Sequence, residues 1–301
     1  MRIFVTGATG YIGGAAARAL RRAGHDVAGL CRSDEKGREL SRAEIRPVRG
    51  DMSRPDSFAA ALAECSVLVH CAVDYASGTV APDRAVVDAF VTAAAKGAQP
   101  KTLVYTSGVW VLGHTGDRAV DETAPLAPLT QVAWRPAHEQ LILGARGARS
   151  LVIRPGCVYG GTGGLTGEWF ATARNEGAVT VIGDGTNRWA MVHVEDLAEA
   201  YVRAVESGLA GEVFNVTDRS RATLNEMAEA AARVAGCPGS VKHVPVAEAA
   251  KEMGPYAECL AVDQHVDSRK AVRLLGWQPR HGGFRDEVDL FYEAWKAGLK
   301  K

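Results

Sequence analysis

Residues 132–143 read VAWRPAHEQLIL and place Trp134 and His138 four positions apart. On a helix that spacing puts both side chains on one face. An imidazole takes up or gives away a proton near neutral pH, whereas an indole offers only an N–H donor. The pair can therefore bind and, through His138, exchange a proton. Two further residues join it as candidates for proton transfer. Ser107 lies in LVYTSGVWVLG, and Tyr159 lies in IRPGCVYGGTG. Tyr75 is a weaker source of a proton, as are Asp121 and Glu122 of DETAPL.

These side chains need a scaffold, and the N-terminal half supplies one. Residues 2–6 form a β-branched run, followed by Gly7, Gly10 and Gly13 and then by an alanine-, arginine- and leucine-rich segment that favours helix. Gly24 stops that helix, and HDVAGL continues as a strand. Strand, glycine turn, helix and strand make a right-handed βαβ unit. Further strands are expected at 44–48, 66–70, 101–106 and 149–153, with helices at 34–41, 56–63, 82–97 and 131–145. Their short, non-alternating apolar runs suit parallel strands covered on both faces. The expected fold is α/β, a Rossmann-type doubly wound parallel sheet over residues 1–155. A smaller C-terminal substrate-binding subdomain follows at 156–301, with 189–216 returning to the core. Glycine-dense residues 156–188 read as long loops over a site, Thr223 and Glu226 as a capping box, and Val288, Leu290, Phe291 and Trp295 as one apolar helix face.

A glycine turn that opens a helix presents backbone N–H groups to an anion. The spacing here is GxxGxxG, directly after the first strand, which points to a dinucleotide pyrophosphate held by Gly7, Thr9, Gly10, Tyr11, Ile12 and Gly13. The second strand ends in Cys31 where an acid would receive the ribose hydroxyls of NAD. Arg32 and Ser33 beside it suit a 2′-phosphate, so NADP(H) is expected over NAD(H). Asp51, next to Met52, either accepts from adenine or caps the following helix.

Bulk composition narrows the partners. Lys+Arg and Asp+Glu both number 35, which argues against a general nucleic-acid or anionic-membrane binder. The six cysteines are dispersed without a CxxC pair, so neither a disulfide framework nor a metal site is expected. The chain opens on an apolar strand and carries no 18-residue apolar span, and a cytoplasmic protein with a small-molecule substrate is expected. A homodimer stays open.

Taken in order, TGATGYIG, VLVHCAV, LVYTSGVWVLG, IRPGCVYGGTG, NRWAMVHVEDLAEAYVRAVE and SRKAVRLLGWQPR resemble the extended short-chain dehydrogenase/reductase family, with its epimerase, dehydratase and carbonyl-reductase branches. The resemblance implies that Cys71, Ala72 and Val73 pass the cofactor and that Pro155, Gly156 and Val158 border nicotinamide. It places Arg188 near substrate phosphate in the sugar-nucleotide branch. It also implies a reactive serine, here Ser107, and a Tyr-x-x-x-Lys pair whose lysine holds the nicotinamide ribose. Trp134 and His138 stand in for that pair on this alignment. Tryptophan cannot replace the tyrosine in proton transfer. The resulting expectation is an NADP(H)-dependent oxidoreductase acting on a small carbonyl or hydroxyl substrate, with His138 as ribose ligand or proton donor. The alternatives are a sugar-nucleotide epimerase/dehydratase and a non-catalytic cofactor-binding sensor.

Overall fold

The computed structural model describes residues 1–73 and 78–299. Tyr75 lies outside the described residues. The N-terminal half alternates as the hydrophobic runs require: β1 (Arg2–Thr6), α1 (Tyr11–Arg22), β2 (Asp26–Cys31), α2 (Asp34–Arg42), β3 (Arg46–Arg49), α3 (Ala59–Glu64), β4 (Val67–His70), α4 (Val80–Lys96), β5 (Lys101–Thr106), α5 (Arg135–Leu143) and β6 (Ala148–Pro155). After them come β7 (Cys157–Tyr159), α6 (Thr166–Glu176), β8 (Val179–Ile182), β9 (Met191–His193), α7 (Val194–Glu206), β10 (Glu212–Val216), α8 (Leu224–Val234) and β11 (Val241–Val244). The chain finishes with α9 (Val246–Met253), α10 (Tyr256–Leu260), α11 (Arg269–Leu275) and α12 (Val288–Gly298).

Seven strands form one parallel sheet in the order β10-β6-β5-β4-β1-β2-β3. Ile3 of β1 lies opposite Val27 on one side and Val67 on the other, so the strand order reverses beside β1. In such sheets the crevice outside the carboxyl ends of the strands at the reversal receives the ligand. Both faces are covered. Ala16 and Leu20 of α1 pack with Leu197, Ala200 and Tyr201 of α7 on one face, and Val86, Val87 and Phe90 of α4 with Leu103 and Tyr105 on the other.

A second apolar cluster forms the smaller C-terminal part, where Trp169, Trp189, Met227, Phe284 and Phe291 meet. Here the sequence expectation needs correction, because residues 156–188 contain β7, α6 and β8 rather than only loops. Glycines at positive φ, such as Gly160, Gly164, Gly177 and Gly183, break the chain between these elements instead of within them. Thr223 and Glu226 form the capping box of α8. On α12, Val288 and Phe291 are buried, but Leu290 is 59% exposed and lies off their face. The Trp169 and Trp189 rings stack at 5.2 Å inside this core rather than lining a cavity together.

Candidate active site

The glycine turn is built by close approach. A Cβ on Gly7, whose φ is +72°, would lie 2.8 Å from the backbone N of Ala72, and one on Gly13 would lie 2.4 Å from the Gly7 carbonyl oxygen. Glycine therefore lets β1 turn against the exit of β4 and lets α1 start immediately beyond. Gly10 caps α1 without a side-chain hydrogen bond, which leaves the first-turn N–H groups to an anion. Thr9, Tyr11 and Ile12 are half-buried around this turn. Tyr11 Oη donates to the Gly160 carbonyl at 2.6 Å, tying the turn to the loop after β7. Burial pushes the Tyr11 hydroxyl pKa well up, so it stays neutral.

At the end of β2, Ser33 caps α2 by accepting from the Lys36 N–H at 3.2 Å, and Arg32 is exposed. Asp51 accepts from both the N–H and the hydroxyl of Ser53 at 2.9 and 2.6 Å. Those Ser53 bonds, with the Arg32 and Arg54 charges, hold its carboxyl below the usual range. Met52, Cys71, Ala72 and Val73 are half-buried along the same side of the sheet.

Beyond the carboxyl ends of β5 and β6 lies a cavity of about 150 Å³, bordered by Ile12, Ser107, Trp110, Arg135, Pro155 and Val158. Gly156 and Cys157 complete its wall, and burial pushes the Cys157 thiol up to about 12. Two polar atoms of the bordering residues are buried without a hydrogen-bond partner, Ser107 Oγ and Arg135 Nε, while Trp110 Nε1 faces the Cys157 thiol. Native proteins rarely leave such atoms bare, so these two mark a place for a polar ligand. Together with the uncapped first turn of α1, these residues fit a bound dinucleotide.

His138 and Trp134 are not at this cavity. The two do share a face, with ring centroids 5.0 Å apart, but that face packs towards α4. His138 is 4% exposed, and its Nδ1 lies 2.6 Å from Asp83 Oδ2. Tyr105 Oη donates to the same oxygen at 3.1 Å, while His70 Nε2 lies 3.2 Å from Asp83 Oδ1. His70 Nδ1 in turn is 2.6 Å from Thr6 Oγ1 at the end of β1. Burial alone would raise the Asp83 pKa. The His70 charge, the hydrogen bonds from His138 and His70 and the Arg135 charge outweigh it and hold the carboxyl far below the usual range. His138 thus serves a buried carboxylate, which corrects its expected place beside the ribose.

The residue that reaches the cavity from α5 is Arg135, and a second buried pair explains why. Arg154, inside β6, needs a carboxylate, and Glu139 supplies it through two bonds at 2.9 and 2.5 Å. This pair fixes the rotation of α5 over the sheet. Arg135, four residues before Glu139, then lies on the sheet-facing side, and its Nη1 donates to the Thr106 carbonyl at 2.7 Å. Four residues earlier again stands Gln131. The readable signal was Glu139, a lone acid in the apolar half of α5 with Arg154 waiting in a central strand.

Tyr159 also leaves the list of proton donors. Its ring is fully buried edge-on against His193, Phe284 and Phe291, and its hydroxyl faces Asp218. Glu122 accepts the Asn215 N–H at 2.7 Å, and Asp121 caps Thr123. A larger cavity of about 520 Å³ is bordered by Arg188, Arg219, Arg221 and Gln264 among others. Gln264 Nε2 donates to the carbonyls of Val109 and Gly113 at 2.8 and 2.9 Å, which joins this cavity's wall to the loop that carries Trp110. Among the described residues no helix is long and apolar enough to cross a membrane.

The sequence profile of the NAD dependent epimerase/dehydratase family matches residues 3–217. The chain belongs to that family. Among its relatives, an uncharacterised protein of Schizosaccharomyces pombe is 30% identical over 93% of this chain and 96% of its own length. A 4-hydroxy-2-methyl-3-oxo-4-farnesyl-3,4-dihydroquinoline-1-oxide ketoreductase of Stigmatella aurantiaca is 30% identical over 92% of this chain and 87% of its own. A UDP-glucose 4-epimerase of Corynebacterium glutamicum is 28% identical over 98% and 95%. The same fold recurs in a dTDP-glucose 4,6-dehydratase double mutant from Streptomyces venezuelae, with TM-score 0.83 and 20% identity over 98% of this chain and 97% of that one. It recurs in a UDP-glucuronic acid 4-epimerase from Bacillus cereus, with TM-score 0.81 and 18% identity over 99% of both chains. Both structures hold NAD, which corrects the expected preference for NADP(H).

Proposed function

We propose that this protein is an NAD(H)-dependent enzyme that oxidises or reduces a hydroxyl- or carbonyl-bearing carbon of a sugar-nucleotide substrate. NAD(H), when bound, accepts or supplies the hydride. The protein's own part is to bind and orient. The first turn of α1 takes the pyrophosphate, Asp51 faces the adenine side, and Ile12 with Pro155–Val158 borders the nicotinamide. Ser107 donates to the reacting oxygen, and Arg135 stands beside it.

The observation that carries this reading is that Ser107 and Arg135, each with a buried polar atom lacking a hydrogen-bond partner, border one cavity beyond β5 and β6. The sugar-nucleotide class is supported by the UDP-glucose 4-epimerase relative, which spans nearly the whole chain. It is supported too by Arg188, Arg219 and Arg221 around the neighbouring cavity, since guanidinium forks suit phosphate. A second reading, direct reduction of a ketone outside the sugar-nucleotide class, draws on the ketoreductase relative and on the absence of Tyr-x-x-x-Lys from the α5 segment.

The test uses the purified protein in two steps. NADH fluorescence titration should give saturable binding, and its absence refutes the cofactor assignment. UDP-glucose, dTDP-glucose and UDP-glucuronate are then incubated with NAD+, and NADH absorbance and product NMR are followed. Turnover of ketones with NADH, but of no sugar nucleotide, would favour the second reading.

A further inference from the structure

We propose that Gln264 is a positioning residue for the reaction: its side-chain amide sets the turn that follows Ser107, and with it one wall of the smaller cavity. This rests on the reading that the smaller cavity is where the substrate reacts, and it adds to that site a residue from the C-terminal part of the chain.

Ser107 itself is anchored beside the sheet, where its N–H donates to the Ile153 carbonyl of β6 at 2.8 Å. The chain then leaves β5. Gly108, Val109 and Trp110, which border the smaller cavity, lead through a single 3-10 turn at Val109–Leu112. A turn this short holds few bonds of its own, so its place depends on what grips it from outside. Residues 127–129 supply one grip. The N–H groups of Ala127 and Leu129 donate to the carbonyls of Val111 and Trp110 at 3.1 and 3.2 Å. Gln264 supplies the second. Its Nε2 donates to the carbonyls of Val109 and Gly113 at 2.8 and 2.9 Å, one at each end of the turn. Gln264 is 2% exposed, so both bonds are shielded from water.

The amide projects from a fixed base. The Gln264 N–H donates to the Arg188 carbonyl at 2.9 Å, and the Thr115 N–H donates to the Asp263 carbonyl at 3.0 Å. The His265 N–H donates to Thr115 Oγ1 at 2.6 Å. Arg188 and Gln264 also border the larger cavity, so one hydrogen-bonded segment bears on both cavities. The residue type follows from the two acceptors. A primary amide carries two N–H groups, one for each carbonyl. A carboxylate of the same size only accepts and would turn its charge on both oxygens. An apolar chain would donate to neither, and asparagine is one methylene shorter.

Q264L, Q264E and Q264N test this in the full-length protein by hydrogen exchange and kinetics. Exchange into residues 108–116 should quicken by about tenfold or more in Q264L, while α8, in the same C-terminal part, stays within about threefold. Q264E should match Q264L at about pH 8. Its excess over the parent at equal pH should shrink by about pH 5, because burial favours the neutral acid and restores one O–H donor. Q264N should lie between parent and Q264L. NADH titrations of all three should stay within about threefold of the parent. With a sugar nucleotide that the parent turns over, kcat should fall by about tenfold and KM should hold, which separates lost positioning from lost binding. Unchanged exchange at 108–116, equal quickening of α8, a pH-independent excess in Q264E or an unchanged kcat would each overturn the proposal. Q264N, the mildest change, carries the test if the other variants fail to fold. If the parent turns over no sugar nucleotide, the proposed function falls while the exchange measurement still decides this inference.

Discussion

Replacing His138 with alanine separates a structural role from a cofactor role. The imidazole lies 2.6 Å from Asp83 Oδ2, and the carboxylate is 2% exposed. Removing a hydrogen-bond donor to a buried carboxylate costs about 1.5–3 kcal/mol, because the charge stays buried with less compensation. Tyr105 and His70 still face Asp83, so about 2 kcal/mol is expected for H138A. With an unfolding entropy of roughly 2.1 cal/mol/K per residue, that lowers Tm by about 3 °C. H138Q keeps an N–H donor and should recover a good part of the loss. Urea unfolding followed by tryptophan fluorescence measures the stability, and NADH titration measures the site. The expected pattern is a destabilised protein whose NADH affinity changes less than about threefold. A stability change below about 1 kcal/mol, combined with a tenfold loss of NADH affinity, would refute the reasoning and return His138 to the ribose.

Other substitutions test neighbouring parts. S107A should leave NADH binding intact and lower any turnover by about tenfold or more, as loss of a donor to the reacting oxygen does, read from steady-state rates. Gly13→Ala places a methyl against the Gly7 carbonyl and should cost about 1–3 kcal/mol while weakening NADH binding, measured by unfolding and titration. Y159F should leave turnover unchanged, because the hydroxyl faces Asp218 in the core; a collapse of kcat would reopen its role. The pH dependence has a definite sign. The folded pKa of Asp83 is depressed, so its stabilisation is complete above its unfolded pKa of about 3.9 and is lost as pH falls towards the folded value. The stability gap between the parent and D83N should therefore shrink below about pH 4 in acid titrations.

Much of the scaffold was readable because it rests on local rules. The β-branched run before Gly7 and the helix stop at Gly24 placed β1, α1 and β2. Ser107, Ile12, Pro155, Gly156 and Val158 could be gathered from a resemblance in order, and the fold brings them to one cavity. The rotation of α5 was not readable from spacing alone, since 134/138 and 135/139 are equally good i, i+4 pairs. Choosing between them required knowing that Arg154 in β6 would meet Glu139, a long-range fact. The 156–188 region misled for a different reason. Its glycines suggested loops, yet several sit between elements at positive φ and permit abrupt turns from strand to helix.

The Glu139–Arg154 ion pair carries an implication for remodelling. Because it anchors α5 from the sheet side, the residues on the turns before it can be exchanged without resetting the helix. Gln131 and Arg135 stand four apart ahead of Glu139, with the spacing of the family's tyrosine and lysine, and neither helps to hold the anchor. The stretch ahead of the anchor is thus a replaceable fitting on a fixed mount, where side chains of different chemistry can be installed while the fold beneath keeps its shape.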